Sequence, residues 1–165
     1  DRRPLDPPPI VMLRLFELTS TSQYDSQEKD ISSYENIETS GMLCAVELGP
    51  STSNGAPVSE SEIARLTAEI LIGSKVAQSN LIKIYSQKSP LFVFADLAVK
   101  NLGLFKLRYK FFDLFSAVPG RAINLESECT GGTFCIYSSK EFPGLQESTK
   151  LTKVRFHHGD HIDLS

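Results

Sequence analysis

Nine residues constrain the fold more than any others: "LFKLRYKFF", residues 104–112. Phe105, Leu107, Tyr109 and Phe111 alternate with Lys106, Arg108 and Lys110. A period of two places the first set on one face of a β-strand and the cations on the other. A helix would scatter both sets around its circumference. The apolar face demands a second layer to cover it, and the rest of the chain supplies candidate strands. "IVMLRLFEL", "GMLCAVEL", "NLIKIYS", "PLFVFADLAV" and "GTFCIYSS" are short β-branched or aromatic runs punctuated by Gly, Pro, Asn and Ser. This pattern predicts an all-β sandwich with little helix.

Within "IVMLRLFEL", Val11, Leu13 and Leu15 share one face, and Met12, Arg14 and Phe16 the other. Two stretches depart from the strand pattern. In "SESEIARLTAEILIG", Ser59 and Glu62 stand at capping-box spacing and Ile63, Leu66 and Ile70 at helical spacing. A short helical turn over 60–66 that runs into a strand is therefore expected. Residues 19–38 are rich in Ser, Thr and acids and lose apolar periodicity. They read as a long acidic surface loop, exposed and mobile.

The length of 165 residues suits a single domain over 1–165. No apolar run approaches the roughly 20 residues that span a bilayer, so no membrane partner is expected; no signal peptide is recognisable either. The net charge of −3 argues against a global polyanion-binding field. The charge is uneven, however: residues 1–99 carry 8 basic and 13 acidic side chains, and residues 100–165 carry 9 basic and 7 acidic. A nucleic-acid surface would thus be a local patch. Cys44, Cys129 and Cys135 are too few and too irregular for a disulfide scaffold or a zinc site, and they read as buried, reduced thiols. His157 and His158 are adjacent, so in a strand they point apart; with His161 they lack partners at ligand spacing, and no metal site is expected.

Chemistry of the enzymatic kind is missing. No G-x-S-x-G elbow occurs. "TGG" at 130–132 lacks the helix and lysine of a phosphate loop. "VPGRA" and "FPGL" read as Pro-Gly turns. A binding module without cofactor or small-molecule substrate is the better class. Its candidate contacts are basic. Lys106, Arg108 and Lys110 form a row of cations about 7 Å apart along their strand. Arg2 and Arg3 precede Pro7, Pro8 and Pro9, which fix an extended segment that serves as a rigid arm or an approach ramp to the first strand.

Three blocks in order resemble one family. "DRRPLDPPPIVMLRL" resembles the signature that opens the fungal velvet domain. "LFVFADLAVKNLGLFKLRYKFFDL" is similar to that domain's central strand pair, and "FCIYSSKEFPGLQESTKLTKVRFHHGDHIDL" to its Tyr-Ser-x-Lys-x-Phe-Pro-Gly block, the following Glu-Ser-Thr and its tail. The resemblance implies an immunoglobulin-like β-sandwich like the Rel-homology DNA-binding domain. It implies a sequence-specific transcription regulator of fungal development, sporulation and secondary metabolism, working in the nucleus with a cytoplasmic pool. Its partners would be double-stranded DNA and another velvet protein, as homodimer or heterodimer. Arg2 and Arg3 match the basic pair of the opening motif and Lys140 a lysine of the third block; Lys150 and Lys153 are weaker matches. By that resemblance, the family's usual first strand would be expected to be missing ahead of Asp1. The alternative is an interaction or scaffold module that pairs with a velvet protein which itself contacts DNA.

Overall fold

The structure is a computed structural model and describes residues 4–22, 25–31, 33–51, 57–84 and 87–144; for 18–22, 25–28, 84 and 87 the backbone alone is described. In chain order the strands are β1 (Ile10–Met12), β2 (Phe16–Ser22), β3 (Asp25–Asp30) and β4 (Met42–Pro50). Helix α1 (Glu60–Glu69) follows, then β5 (Leu71–Ile72), β6 (Val76–Gln78), β7 (Asn80–Ile84), β8 (Gln87–Val93) and β9 (Ala98–Val99). Next come β10 (Gly103–Asp113), a 3-10 turn (Leu114–Ser116), β11 (Ser127–Thr130) and β12 (Phe134–Ile136).

The alternating segment "LFKLRYKFF" lies in β10, the longest strand, and it organises the larger sheet. That sheet runs β11-β10-β4-β6, with β12 also pairing β10 beyond β11. Antiparallel β4 matches β10 from Phe105↔Pro50 to Asp113↔Met42 without a slip. Met42, Cys44, Val46 and Leu48 of β4 are buried in strict alternation, as are Phe105 and Leu107 of β10, with Tyr109 and Phe111 packed partly buried beside them. The second sheet, β1-β8-β7, covers this face. Phe92 of β8 meets Phe111 at 6.0 Å between ring centroids, and Phe94 meets Tyr109 at 5.8 Å. Phe92 and Phe94 are each about 1% exposed, and full burial of such a side chain stabilises by roughly 1.5–3 kcal/mol. The fold is therefore the all-β sandwich the alternation predicts.

Helix α1 closes one flank of the larger sheet. Ser59 Oγ accepts from the Glu62 backbone N–H at 3.2 Å, which realises the expected cap. Ile63 and Leu66 face the core, and Thr67 Oγ1 accepts from the Leu48 backbone N–H at 2.8 Å. The helix runs to Glu69, three residues past the expected turn. Helical burial of Leu66 and Ile70 outweighs the competing alternation at 66–72, and only Leu71–Ile72 is strand.

The proline segment is an approach ramp: the Leu5 N–H donates to Leu97 O at 2.6 Å and the Phe94 N–H to Pro9 O at 3.0 Å, so the chain is docked along β8 and its continuation. "IVMLRLFEL" is not one strand. After Leu13 N–H bonds Pro90 O, Leu15 turns away: its N–H donates to the Tyr34 hydroxyl at 3.1 Å and its carbonyl accepts from Ile31 N–H. Val11, Leu13 and Leu15 nonetheless pack on the core while Met12 and Phe16 stay exposed, as the alternation requires.

The region 19–38, expected as a loop, is corrected. β2 and β3 pair antiparallel as a ribbon, with Glu17 opposite Lys29, and Tyr34 beyond it is only 5% exposed. Backbone pairing and one buried aromatic anchor hold a segment whose polar composition hides it. Of the cysteines, all free, only Cys44 is buried; Cys129 sits exposed on edge strand β11, which corrects the reading of three buried thiols. "VPGRA" is the turn expected: Arg121 N–H donates to Val118 O, and Gly120 has φ +80°.

Gly73 has φ +98°, and a Cβ there would lie 2.4 Å from the Asp96 carbonyl oxygen. Gly73→Ala is expected to destabilise by about 2 kcal/mol or more in chemical denaturation, whereas Gly132→Ala, with open space around the new methyl, should stay within about 0.5 kcal/mol of the parent. Burial pushes the Cys44 thiol up to about 12; alkylation of the native chain at pH 8 should therefore label Cys129 and spare Cys44 until denaturant is added.

Candidate nucleic-acid interface

The outward face of β10 presents Lys106, Arg108 and Lys110, but their register with β4 changes what two of them can do. Arg108 stands opposite Glu47 and Lys110 opposite Ala45. Arg108 Nε donates to Glu47 Oε2 at 2.8 Å, and its two terminal nitrogens donate to the two Glu60 oxygens at 2.6 Å each. Lys110 Nζ donates to the other Glu47 oxygen at 3.0 Å. The side chains of Arg108, Lys110 and Glu47 are only 16%, 21% and 24% exposed. The forked guanidinium is thus gripped by a carboxylate from the neighbouring strand and another from the first turn of α1. Glu60 holds Arg108 well above its ordinary range, and the Arg108 hydrogen bonds hold the Glu60 carboxyl below the usual 4.5. Lys106, opposite Gly49, has no ion-pair partner among the described residues and is exposed.

Lys140 sits elsewhere. Past β12 the chain makes a turn in which Glu141 N–H donates to Ser138 O at 3.1 Å and Ser138 Oγ donates to Glu141 Oε2 at 2.8 Å. Lys140 projects exposed from that turn. Close by, Tyr137 and Phe142 pack edge to face at 6.3 Å. Both line a groove of about 1180 Å³ that Pro4, Leu5, Asp6, Pro7 and Pro9 of the proline segment also line. Arg2 and Arg3 lie outside the described residues, as do Lys150, Lys153, His157, His158 and His161. Pro4 and Ser139, the sequence neighbours of Arg3 and Lys140, line the same groove. The structure therefore brings Pro4 and the Lys140 turn to one groove, and ties Arg108 and Lys110 of β10 to carboxylates of β4 and, for Arg108, of α1's first turn.

Sequence reasoning missed Glu47 and Glu60. The first was readable in part: in "GMLCAVEL" it falls on the polar phase of the alternation. Nothing local said that this strand would lie beside β10 in that register. No helix among the described residues is long and apolar enough to cross a membrane.

A family described as "Velvet factor" matches residues 1–65 and 50–164. A probable velvet family sexual development regulator of Schizophyllum commune is 38% identical over 93% of this chain and 61% of its own length. A regulator of the same description in Laccaria bicolor is 33% identical, with the same two coverages. The developmental and secondary metabolism regulator veA of Chaetomium globosum is 29% identical over 93% of this chain but only 30% of its own length. The chain thus spans about six-tenths of the first two relatives.

Glu47→Gln should remove one anion from between two partly buried cations and destabilise by about 1–3 kcal/mol, between the values for exposed and buried pairs. Glu60 adds a pH signature. Its folded carboxyl is depressed, so its contribution is present above the unfolded carboxylate range and is lost as pH falls through the folded value. Denaturation midpoints of the parent and Glu60→Gln should differ at pH 7 and converge once the pH falls below the depressed folded value.

Proposed function

The chain belongs to the velvet family, whose curated relatives are named as developmental and secondary metabolism regulators, and from that premise we propose that it is a DNA-binding domain of a nuclear transcription regulator that works as a velvet homodimer or heterodimer. The observation that carries this reading is the shared groove: Pro4, which follows Arg2 and Arg3 in sequence, and Ser139, which precedes Lys140, both line it. Arginine forks suit phosphates and guanine edges, and a docked proline ramp limits the entropy lost when the arm binds. Arg108 and Lys110 already hold carboxylates, so they act in stability and not at the duplex. With DNA as partner, control of sporulation and secondary metabolism follows as gene regulation.

The second reading, a module that pairs with another velvet protein which itself contacts DNA, draws on a different observation. Between β10 and β11 the side chains of Phe115, Val118, Ile123 and Leu125 are 66%, 52%, 46% and 46% exposed. Apolar residues so concentrated on one connection suit a protein surface better than solvent.

Salt-titrated binding to duplex DNA separates the two. Arg2→Ala with Arg3→Ala should flatten the salt slope by about two and Lys140→Ala by about one, while Lys110→Ala leaves it unchanged. If the chain binds no duplex by itself but does so once mixed with a second velvet domain, and only in variants that keep Phe115, the pairing module is the better reading.

A further inference from the structure

Beyond the last pair of the central ladder, Asp113↔Met42, the chain leaves β10 through the 3-10 turn. There the Leu114 N–H donates to Gly41 O at 2.9 Å, and Asp113 Oδ1 accepts from the Phe115 N–H at 2.9 Å. Ser116 Oγ donates to Asp113 O at 2.8 Å. These bonds fix the backbone that carries Phe115. Its ring covers Gly41: a Cβ on that glycine would lie 2.6 Å from Phe115 Cδ2. Yet Phe115 is 66% exposed, more than any other large apolar residue among those described. A ring held against backbone on one side and open on the other has given up its rotamer freedom before a partner arrives, which is what an interface anchor requires. Val118, Ile123 and Leu125 extend the exposed apolar surface along the same connection.

Two opposite charges flank this surface. Arg121 is exposed on the Pro-Gly turn, where its N–H donates to Val118 O. Glu38 is exposed three residues before Gly41, and its Oε1 accepts from the Ser40 N–H at 3.0 Å. Neither has an ion-pair partner among the described residues. A partner must therefore offer an apolar patch together with a charge of each sign. A second copy does so by symmetry, because a two-fold axis sets each patch against itself and each charge against the other chain's opposite one. We propose that two copies of this chain associate through their β10–β11 connections, with Phe115 as the anchor and Arg121 of each chain facing Glu38 of the other. This rests on the pairing half of the reading above and gives it a location and a symmetry.

Sedimentation velocity of the chain without DNA tests it. The parent should associate reversibly at concentrations below about 100 μM. Phe115→Ser should raise the dissociation constant at least about thirtyfold, and Gly41→Ala, whose methyl displaces the ring, about tenfold. Arg121→Glu alone should weaken association about tenfold, and joining it to Glu38→Arg in one chain should recover most of that loss. Both charges are exposed, so the recovery decides the matter even where Phe115→Ser fails to fold. A parent that stays monomeric, or that pairs only with a different velvet protein, overturns the proposal. Association undiminished in folded Phe115→Ser, or a charge reversal without recovery, overturns it too and leaves pairing through another face. DNA is absent throughout, so a failure of duplex binding does not alter the result.

Discussion

The antiparallel ladder between β4 and β10 is the constraint on which the rest depends. Its unbroken register from Phe105↔Pro50 to Asp113↔Met42 decides both faces of the larger sheet at once. Inward, it aligns Met42, Cys44, Val46 and Leu48 with Phe105, Leu107, Tyr109 and Phe111 as one apolar surface, onto which Phe92 and Phe94 of the other sheet close. Outward, the same register sets Glu47 against Arg108 and within reach of Lys110. A slip of one residue would turn the core out and separate the charges together. Core and ion-pair network are therefore two consequences of a single alignment.

That alignment also sorts the basic residues. A row of cations on a strand looks, in isolation, like a phosphate-facing stripe. Here Arg108 lies beside the first turn of α1, whose Glu60, with Glu47 of β4, holds it between two carboxylates. Partly desolvated, paired and hydrogen-bonded, those charges are committed within the fold, and a phosphate would have to displace two carboxylates to reach Arg108. Lys106 and Lys140 carry no such commitment among the described residues. Of these only Lys140 stands beside the groove that the N-terminal ramp also borders.

What the sequence discloses follows from the range of the forces involved. Period-two alternation reports a local choice of face, so β4, β10 and the inward set of "IVMLRLFEL" are readable residue by residue. The cap at Ser59 is equally local, and it was legible. The ribbon of β2 and β3 is not, because its order rests on pairing between two polar segments and on Tyr34, fourteen residues beyond where β2's ladder with β3 changes register at Ser20. The bend after Leu13 likewise depends on partners at Tyr34 and Ile31. At the site, the basic residues were visible and their neutralisers were not, since Glu47 and Glu60 reach Arg108 across 61 and 48 residues of sequence. Long-range partners decide whether a cation is available, and a list of cations does not contain them.

The central claim of the proposed reading is that availability, and not charge alone, would select a nucleic-acid surface. Lysine footprinting measures this directly: reductive methylation of the chain with and without saturating duplex DNA, read by mass spectrometry at each lysine. The account requires that DNA protect Lys140 strongly while Lys110 stays slow to react in both states and Lys106 reacts equally in both. Protection of Lys106 and Lys110 by DNA, with Lys140 unchanged, would contradict it and return the β10 face as the binding surface.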